Sequence, residues 1–270
     1  MSVFQITISS LYIIAGALFG MTRLPRFAAQ SKMFLFVAVV STASGLLWHA
    51  WTLWYLILVP GGISLSIGNT ASFIGLQLAL IALIGAIEPV LRGLSGGLLI
   101  LAGLVAILTG GEAPVLATGT MGLQIQSHIL ISLFAYGLLT VGVIVALYAL
   151  IQESRLRAGM FSSFNQLFAP LEIMEKLLFG ITFAGFLLLL VAVSSGFAFV
   201  ENLFAQHLVH KTTLSLLALA IFGCLLGGRL FAGWRGKRAI YLYLWGFLFL
   251  CLAYFGSRYV LEQILGRSWS

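Results

Sequence analysis

Apolar residues fall along this chain in eight long runs, separated by short segments that hold most of the charges, prolines and glycine pairs. The runs cover about 3–22, 33–59, 69–88, 94–109, 125–151, 177–200, 211–228 and 239–262. A helix rising ~1.5 Å per residue needs ~20 such residues to cross a hydrocarbon core of ~30 Å, and most of the runs meet that length. The pattern predicts an all-α fold: a polytopic membrane bundle of about eight transmembrane helices, forming a single membrane domain over 1–270. The run at 94–109 fits least well. It is short and bounded by Leu94-Ser95-Gly96-Gly97 and Thr109-Gly110-Gly111, so a tilted, re-entrant or longer segment is open there.

Composition strengthens this reading. Hydrophobic residues make up 61% of the chain and charged residues 8%, against roughly a quarter charged in soluble domains. The net charge of +7 lies in the connections and forms no basic stripe, which gives no footprint for nucleic acid. Arg23, Arg26, Lys32, Arg92, Arg155, Arg157, Lys176, Arg229, Arg235, Lys237 and Arg238 fall on one side of an alternating topology. Lys211, Arg258 and Arg267 fall on the other. The positive-inside rule makes the first side cytoplasmic and sets both termini on the non-cytoplasmic side, with an even number of spans. Val3 to Thr22 lacks a basic region before it and a small-residue cleavage site after it, and reads as a retained first span. Arg23, Arg26, Arg235, Lys237 and Arg238 suit membrane lipid headgroups as well as ordinary anchoring.

No connection is long enough for a soluble domain, and no internal repeat stands out. In the longest, 152–176, Pro170 suits a first helical turn. Leu167, Phe168, Leu171 and Met174 are placed to face lipid while Glu172, Glu175 and Lys176 stay wet, which predicts an interfacial helix before the sixth span. Gly16, Gly20, Gly137, Gly142, Gly180 and Gly185 are expected to let helices approach closely. Cys224 and Cys251 lie inside apolar runs without C-x-x-C or C-x-x-C-H spacing and read as small buried hydrophobes.

In the inferred topology all four histidines lie toward the outer side: His49 well along a span, His128 at a span entrance, His207 and His210 in a connection. Ionisable groups within a membrane need partners and point to function. Neutral imidazole is a common axial ligand for haem iron, and helical bundles place such ligands between helices. Each histidine also has a plainer role, His49 in bonding a neighbouring helix, His128 at an interface, His207 and His210 in water. Trp48, Trp51 and Trp54 suit either a porphyrin face or an interfacial aromatic belt. Glu88, Glu112, Glu201 and Glu262 stand at span ends. No H-E-x-x-H, G-x-S-x-G or P-loop pattern occurs, which leaves hydrolytic and nucleotide chemistry without visible residues.

From His128 onward the chain resembles the cytochrome c assembly protein superfamily, membrane proteins that handle haem for c-type cytochrome maturation. The likeness, strongest over 125–262, rests on Ser127-His128-Ile129 with Ser132-Leu133-Phe134-Ala135-Tyr136, on Pro170-Leu171-Glu172 with Glu175-Lys176, and on Ser195-Gly196. His210-Lys211-Thr212, Gly233-Trp234-Arg235-Gly236-Lys237-Arg238 and Ala253-Tyr254-Phe255-Gly256 complete it. The likeness is in particular to a short inner-membrane branch of YpjD type. It implies a multi-pass protein of the bacterial inner membrane, haem binding in cytochrome c biogenesis, non-covalent haem b, and other maturation or inner-membrane proteins as partners. It also implies His49 and His128 as axial ligands, with His210 a weaker candidate and no metal besides haem iron.

Three departures bear on function. The tryptophan-rich external segment of the haem lyases is replaced by Phe197-Ala198-Phe199-Val200-Glu201-Asn202. The family histidine before an arginine becomes Gly228 before Arg229, and its external C-terminal histidine becomes Leu261-Glu262-Gln263. Complete haem-lyase activity is therefore not expected of this chain alone. A non-catalytic membrane partner or stabilising subunit is the main alternative. Transport, for which only Asn69, Gln77 and hydroxyls offer mid-membrane polarity, is a weaker one.

Overall fold

A computed structural model describes residues 3–59, 62–63, 66–109, 122–160, 163–199 and 209–260. Among them, eight helices are long and apolar enough to cross a membrane. They are built on α1 (Val3–Met21), α2 (Ser31–Ile57), α3 (Ile67–Gly85), α4 (Arg92–Ala106), α5 (Leu123–Arg157), α6 (Leu171–Phe199), α7 (Val209–Ala232) and α8 (Gly236–Cys251), the last span continuing to Tyr259. A two-residue antiparallel pairing of β1 (Leu58–Val59) with β2 (Gly62–Ile63) follows α2. His207, Glu112, Glu201, Glu262, Arg267 and the Leu261-Glu262-Gln263 stretch lie outside the described residues. The chain divides into two compact units, Met1–Leu116 with Leu147–Lys176, and Ala117–Ala146 with Leu177–Ser270.

The first unit is assembled around α4. The run that looked weakest is a helix buried along Gly93, Leu94, Ser95, Gly96, Leu98, Leu99, Ala102, Gly103 and Ala106. A turn at Pro89–Leu91 lengthens it to a candidate span of 18 residues, about 27 Å at the helical rise. Glycines permit close backbone approach on two of its sides. A Cβ on Gly16 of α1 would lie 2.7 Å from the Gly96 carbonyl oxygen, and one on Gly75 of α3 would lie 3.3 Å from the Ala102 carbonyl oxygen. Lipid chains are as apolar as leucine, so close van der Waals packing of this kind, not hydrophobicity, holds transmembrane helices together. α3 starts at Ser66, whose Oγ accepts from the Asn69 amide at 3.0 Å and so caps the helix.

The connection before α6 does not lie on lipid as an interfacial helix. Phe168 and Met174 are buried, and Phe168 packs edge-on against Tyr148 with ring centroids 5.2 Å apart. The Leu167 carbonyl sits where a Cβ on Gly93 would be. The apolar residues of 167–174 thus seal the unit. α6 begins directly after Pro170, whose carbonyl accepts from the Ile173 and Met174 amides.

In the second unit, tyrosines pin helices through backbone carbonyls. Tyr243 Oη donates to Leu139 O at 2.6 Å, and Tyr136 Oη donates to Leu250 O at 2.7 Å, where α8 gives way to a π-helical turn over Leu252–Gly256. The Tyr243 ring occupies the place of a side chain at Gly142, and Leu139 that of one at Gly185. Gly180, in contrast, has nothing within 4 Å of its would-be Cβ, so it does not mark a close approach. Cys224 is exposed and Cys251 only half-buried, a correction to the buried role expected of them: in a membrane an apolar run does not say which residues face lipid.

A double-mutant cycle tests the Tyr243 contact. Gly142→Ala is expected to cost about 2 kcal/mol by overpacking, and Tyr243→Phe about 1 kcal/mol by losing a buried hydrogen bond. The pair should cost less than the two together, because removing the hydroxyl relieves part of the collision. Thermal unfolding in detergent reads all three, and strict additivity would dissociate the two residues.

Candidate functional site

His49 belongs to the first unit and His128 to the second, and their surroundings differ. In the first unit the buried stripe of α2 is Ala38, Thr42, Gly45, His49, Leu53 and Ile57, spaced three and four apart on one helical face. His49 is fully buried on that stripe. Its Nδ1 is 3.3 Å from Tyr12 Oη of α1, and its Nε2 is 2.7 Å from Ser72 Oγ of α3. Ser72 Oγ also bonds Thr109 Oγ1, just past α4, and Thr109 Oγ1 donates to Ala106 O at 2.7 Å. A chain of side chains thus ties α1, α2 and α3 to the end of α4. Gly45, one turn before His49, makes room for the Tyr12 ring: a Cβ there would lie 2.7 Å from Tyr12 Cε1.

In the second unit His128 stands half-buried near the start of α5. Its Nδ1 is 2.9 Å from Ser195 Oγ of α6, and Ser195 Oγ donates to Ala192 O at 2.9 Å. Gly196 follows, and a Cβ on it would lie 3.3 Å from His128 Cε1. The Ser-Gly pair singled out in the sequence therefore has a local purpose, since serine anchors the ring and glycine lets the ring lie against α6. Lys211, in the first turn of α7, is within electrostatic reach of His128 and sits over the Tyr254 ring at 5.8 Å. Arg258 Nη1 donates to Tyr254 Oη at 3.1 Å. His210, the weaker candidate, is exposed in the same turn of α7.

The tryptophans do not frame His49. Trp51 and Trp54 are 64% and 63% exposed on faces of α2 away from the buried stripe. Trp51 packs on Tyr55, and Trp48 packs edge-on against Phe4. Rings presented outward near a helix end suit an interfacial belt better than a porphyrin face beside His49. The Gly-Trp-Arg-Gly block is a turn: Gly233 and Gly236 have φ of 63° and 59°, a region that favours glycine. Trp234 packs where a side chain at Gly228 would be, and the Arg238 guanidinium lies 3.8 Å above the Trp234 ring. With Trp234 so placed, position 228 has no room for the imidazole that the resemblance puts there.

Sequence reasoning found both histidines but not Tyr12, Ser72, Thr109 or Ser195 as the partners of their ring nitrogens. Hydroxyl residues are common in membrane helices, and nothing local marks these four apart from the adjacency of Ser195 to Gly196.

The comparisons with known proteins agree with the sequence resemblance. The family model described as Cytochrome C assembly protein matches residues 6–265. "Inner membrane protein YpjD" of Escherichia coli (strain K12) is 31% identical over 237 residues, covering 84% of this chain and 88% of the relative. An "Uncharacterized 28.8 kDa protein in nifR3-like 5'region" of Azospirillum brasilense is 31% identical over 156 residues, covering 57% of this chain and 58% of that protein. No solved structure matches. Eight apolar helices and a relative named for the inner membrane make this a multi-pass inner-membrane protein. With the family model matching nearly its whole length, the chain belongs to the cytochrome c assembly protein family.

Proposed function

We propose that this protein binds and handles non-covalent haem b in cytochrome c biogenesis at the outer face of the inner membrane, with His128 as its principal axial ligand. The observation that carries the reading is the His128 ring itself: Nδ1 is anchored 2.9 Å from Ser195, which orients the ring without using Nε2. Such an outer partner is the usual support for an imidazole that ligates a metal. A half-buried neutral imidazole at the end of a helical bundle fits haem iron by the chemistry of its donor set. Bound haem supplies an iron centre that takes imidazole nitrogen as an axial ligand. Ser195 holds the ring, and Gly196 admits it.

His49 is the second candidate ligand and His210 a third. The outer placement rests on the one-sided distribution of Lys and Arg. Other cytochrome maturation proteins are the partners this role would require. The absence of a side chain at Gly228 and its replacement by the packed Trp234 ring favour a second reading, a membrane partner or stabilising subunit without haem.

Purification in mild detergent from haem-replete cells, followed by oxidised and reduced visible spectra, separates the two. A Soret band near stoichiometric amount is expected in the parent protein. It should fall at least about tenfold in His128→Ala and little in His210→Ala. A parent protein clean of haem, even after hemin is added, would overturn the haem reading and favour the partner subunit.

A further inference from the structure

Each hydroxyl group carries one proton, and for an imidazole that burial keeps neutral that count assigns which nitrogen holds the proton. Thr109 donates its proton to Ala106 O, so in the Ser72–Thr109 bond the donor is Ser72. Having given its proton to Thr109, Ser72 meets His49 Nε2 as an acceptor at 2.7 Å, and the N–H is on Nε2. Nδ1 then accepts from the Tyr12 hydroxyl at 3.3 Å. The whole chain runs one way, from Tyr12 through His49, Ser72 and Thr109 to a helix carbonyl. At His128 the same count gives the opposite result. Ser195 donates to Ala192 O, so it accepts from His128, and the proton is on Nδ1.

We infer that the two histidines are held in opposite neutral tautomers, so that His128 offers a bare Nε2 to iron while His49 is latched shut by Ser72. Ser72 and Ser195 are positioning residues with opposing effects. Ser195 keeps a ligand nitrogen available, and Ser72 keeps one protonated. His49 reaches the ligating form only when its proton moves to Nδ1, where Tyr12 Oη becomes the acceptor, and when the bond to Ser72 is given up. Haem as the ligand rests on the function proposed above, whereas the tautomers do not depend on it.

Two measurements keep those apart. Nitrogen NMR of haem-free protein carrying labelled histidine, with signals assigned through His49→Gln and His128→Gln, reads the tautomers directly. Expected are a protonated Nδ1 and bare Nε2 for His128, the reverse for His49, and conversion of His49 to the His128 pattern in Ser72→Ala. The same tautomer at both residues of the parent protein, or an unchanged His49 in Ser72→Ala, overturns the inference. In hemin titrations, Ser195→Ala should weaken binding about tenfold and Ser195→Thr should restore it. In the His128→Ala background, Ser72→Ala should raise binding severalfold, since only a released His49 remains. A His128→Ala protein whose hemin affinity does not respond to Ser72→Ala overturns the latch. Failure of the parent protein to bind hemin, with the expected tautomers observed, overturns the haem reading and leaves the tautomer assignment supported.

Discussion

Gly96→Leu is expected to prevent accumulation of folded protein. A Cβ on Gly96 would lie 2.6 Å from the Gly16 carbonyl oxygen, and the reciprocal Cβ on Gly16 would lie 2.7 Å from the Gly96 carbonyl oxygen. Both neighbours are backbone, so no side-chain rotation relieves the collision, and α1 must move away from α4. Overpacking a close-packed interior costs about 1–3 kcal/mol even where side chains can yield, and here the cost should exceed about 3 kcal/mol. That is a large part of the ~5–15 kcal/mol that holds a typical domain folded. Gly180→Leu is the control, because the space around Gly180 is open. Size-exclusion profiles and yields in detergent should show Gly180→Leu close to the parent protein and Gly96→Leu aggregated or absent. A monodisperse Gly96→Leu protein would show that the α1–α4 crossing is not a close backbone contact.

The difference between those glycines explains how far the sequence could be read. Helices α1 to α8 were legible because span length in a membrane follows from bilayer thickness, and charges mark the ends. Which face of each span meets protein was not. Leucine is equally at home against lipid and against another helix, so Phe168 and Met174 read as lipid-facing although they are buried, and Cys224 as buried although it is exposed. Glycine pairs around 94–111 left a tilted, re-entrant or longer segment open, and the segment is a longer one in which Gly93 and Gly96 are where other backbone comes closest to α4.

The candidate site divides in the same way. His49 and His128 stood out because imidazole is costly in lipid, and Ser195-Gly196 was visible beside them. Tyr12 and Ser72 reach His49 across 37 and 23 residues, and no local pattern encodes pairings of that range. The histidine missing at Gly228 was visible as a departure, but its physical counterpart, the Trp234 ring filling that space, needed the fold.

His49→Ala should be strongly destabilising even when no haem is present. Truncation opens a cavity the size of a ring in a fully buried position, takes the acceptor from Tyr12 Oη, and leaves Ser72 Oγ with only its bond to Thr109. Ring-to-alanine changes in cores cost about 3–5 kcal/mol, and each buried polar group left unsatisfied adds about 1–3 kcal/mol. His49→Gln keeps a donor and an acceptor on one side chain and should cost about half as much. His49→Leu fills space without giving the Tyr12 hydroxyl an acceptor and should fall nearer to alanine. Thermal unfolding of the haem-free proteins should therefore rank parent, Gln, Leu and Ala from most to least stable. If His49→Leu matched or exceeded the parent, the hydrogen-bonded chain would not be holding α1, α2 and α3 together. The order also decides how haem loss is interpreted. Loss of colour in His49→Ala follows from a weakened first unit whether or not His49 touches iron. Only a well-folded His49→Gln protein that binds hemin less well than its parent would assign His49 as a ligand.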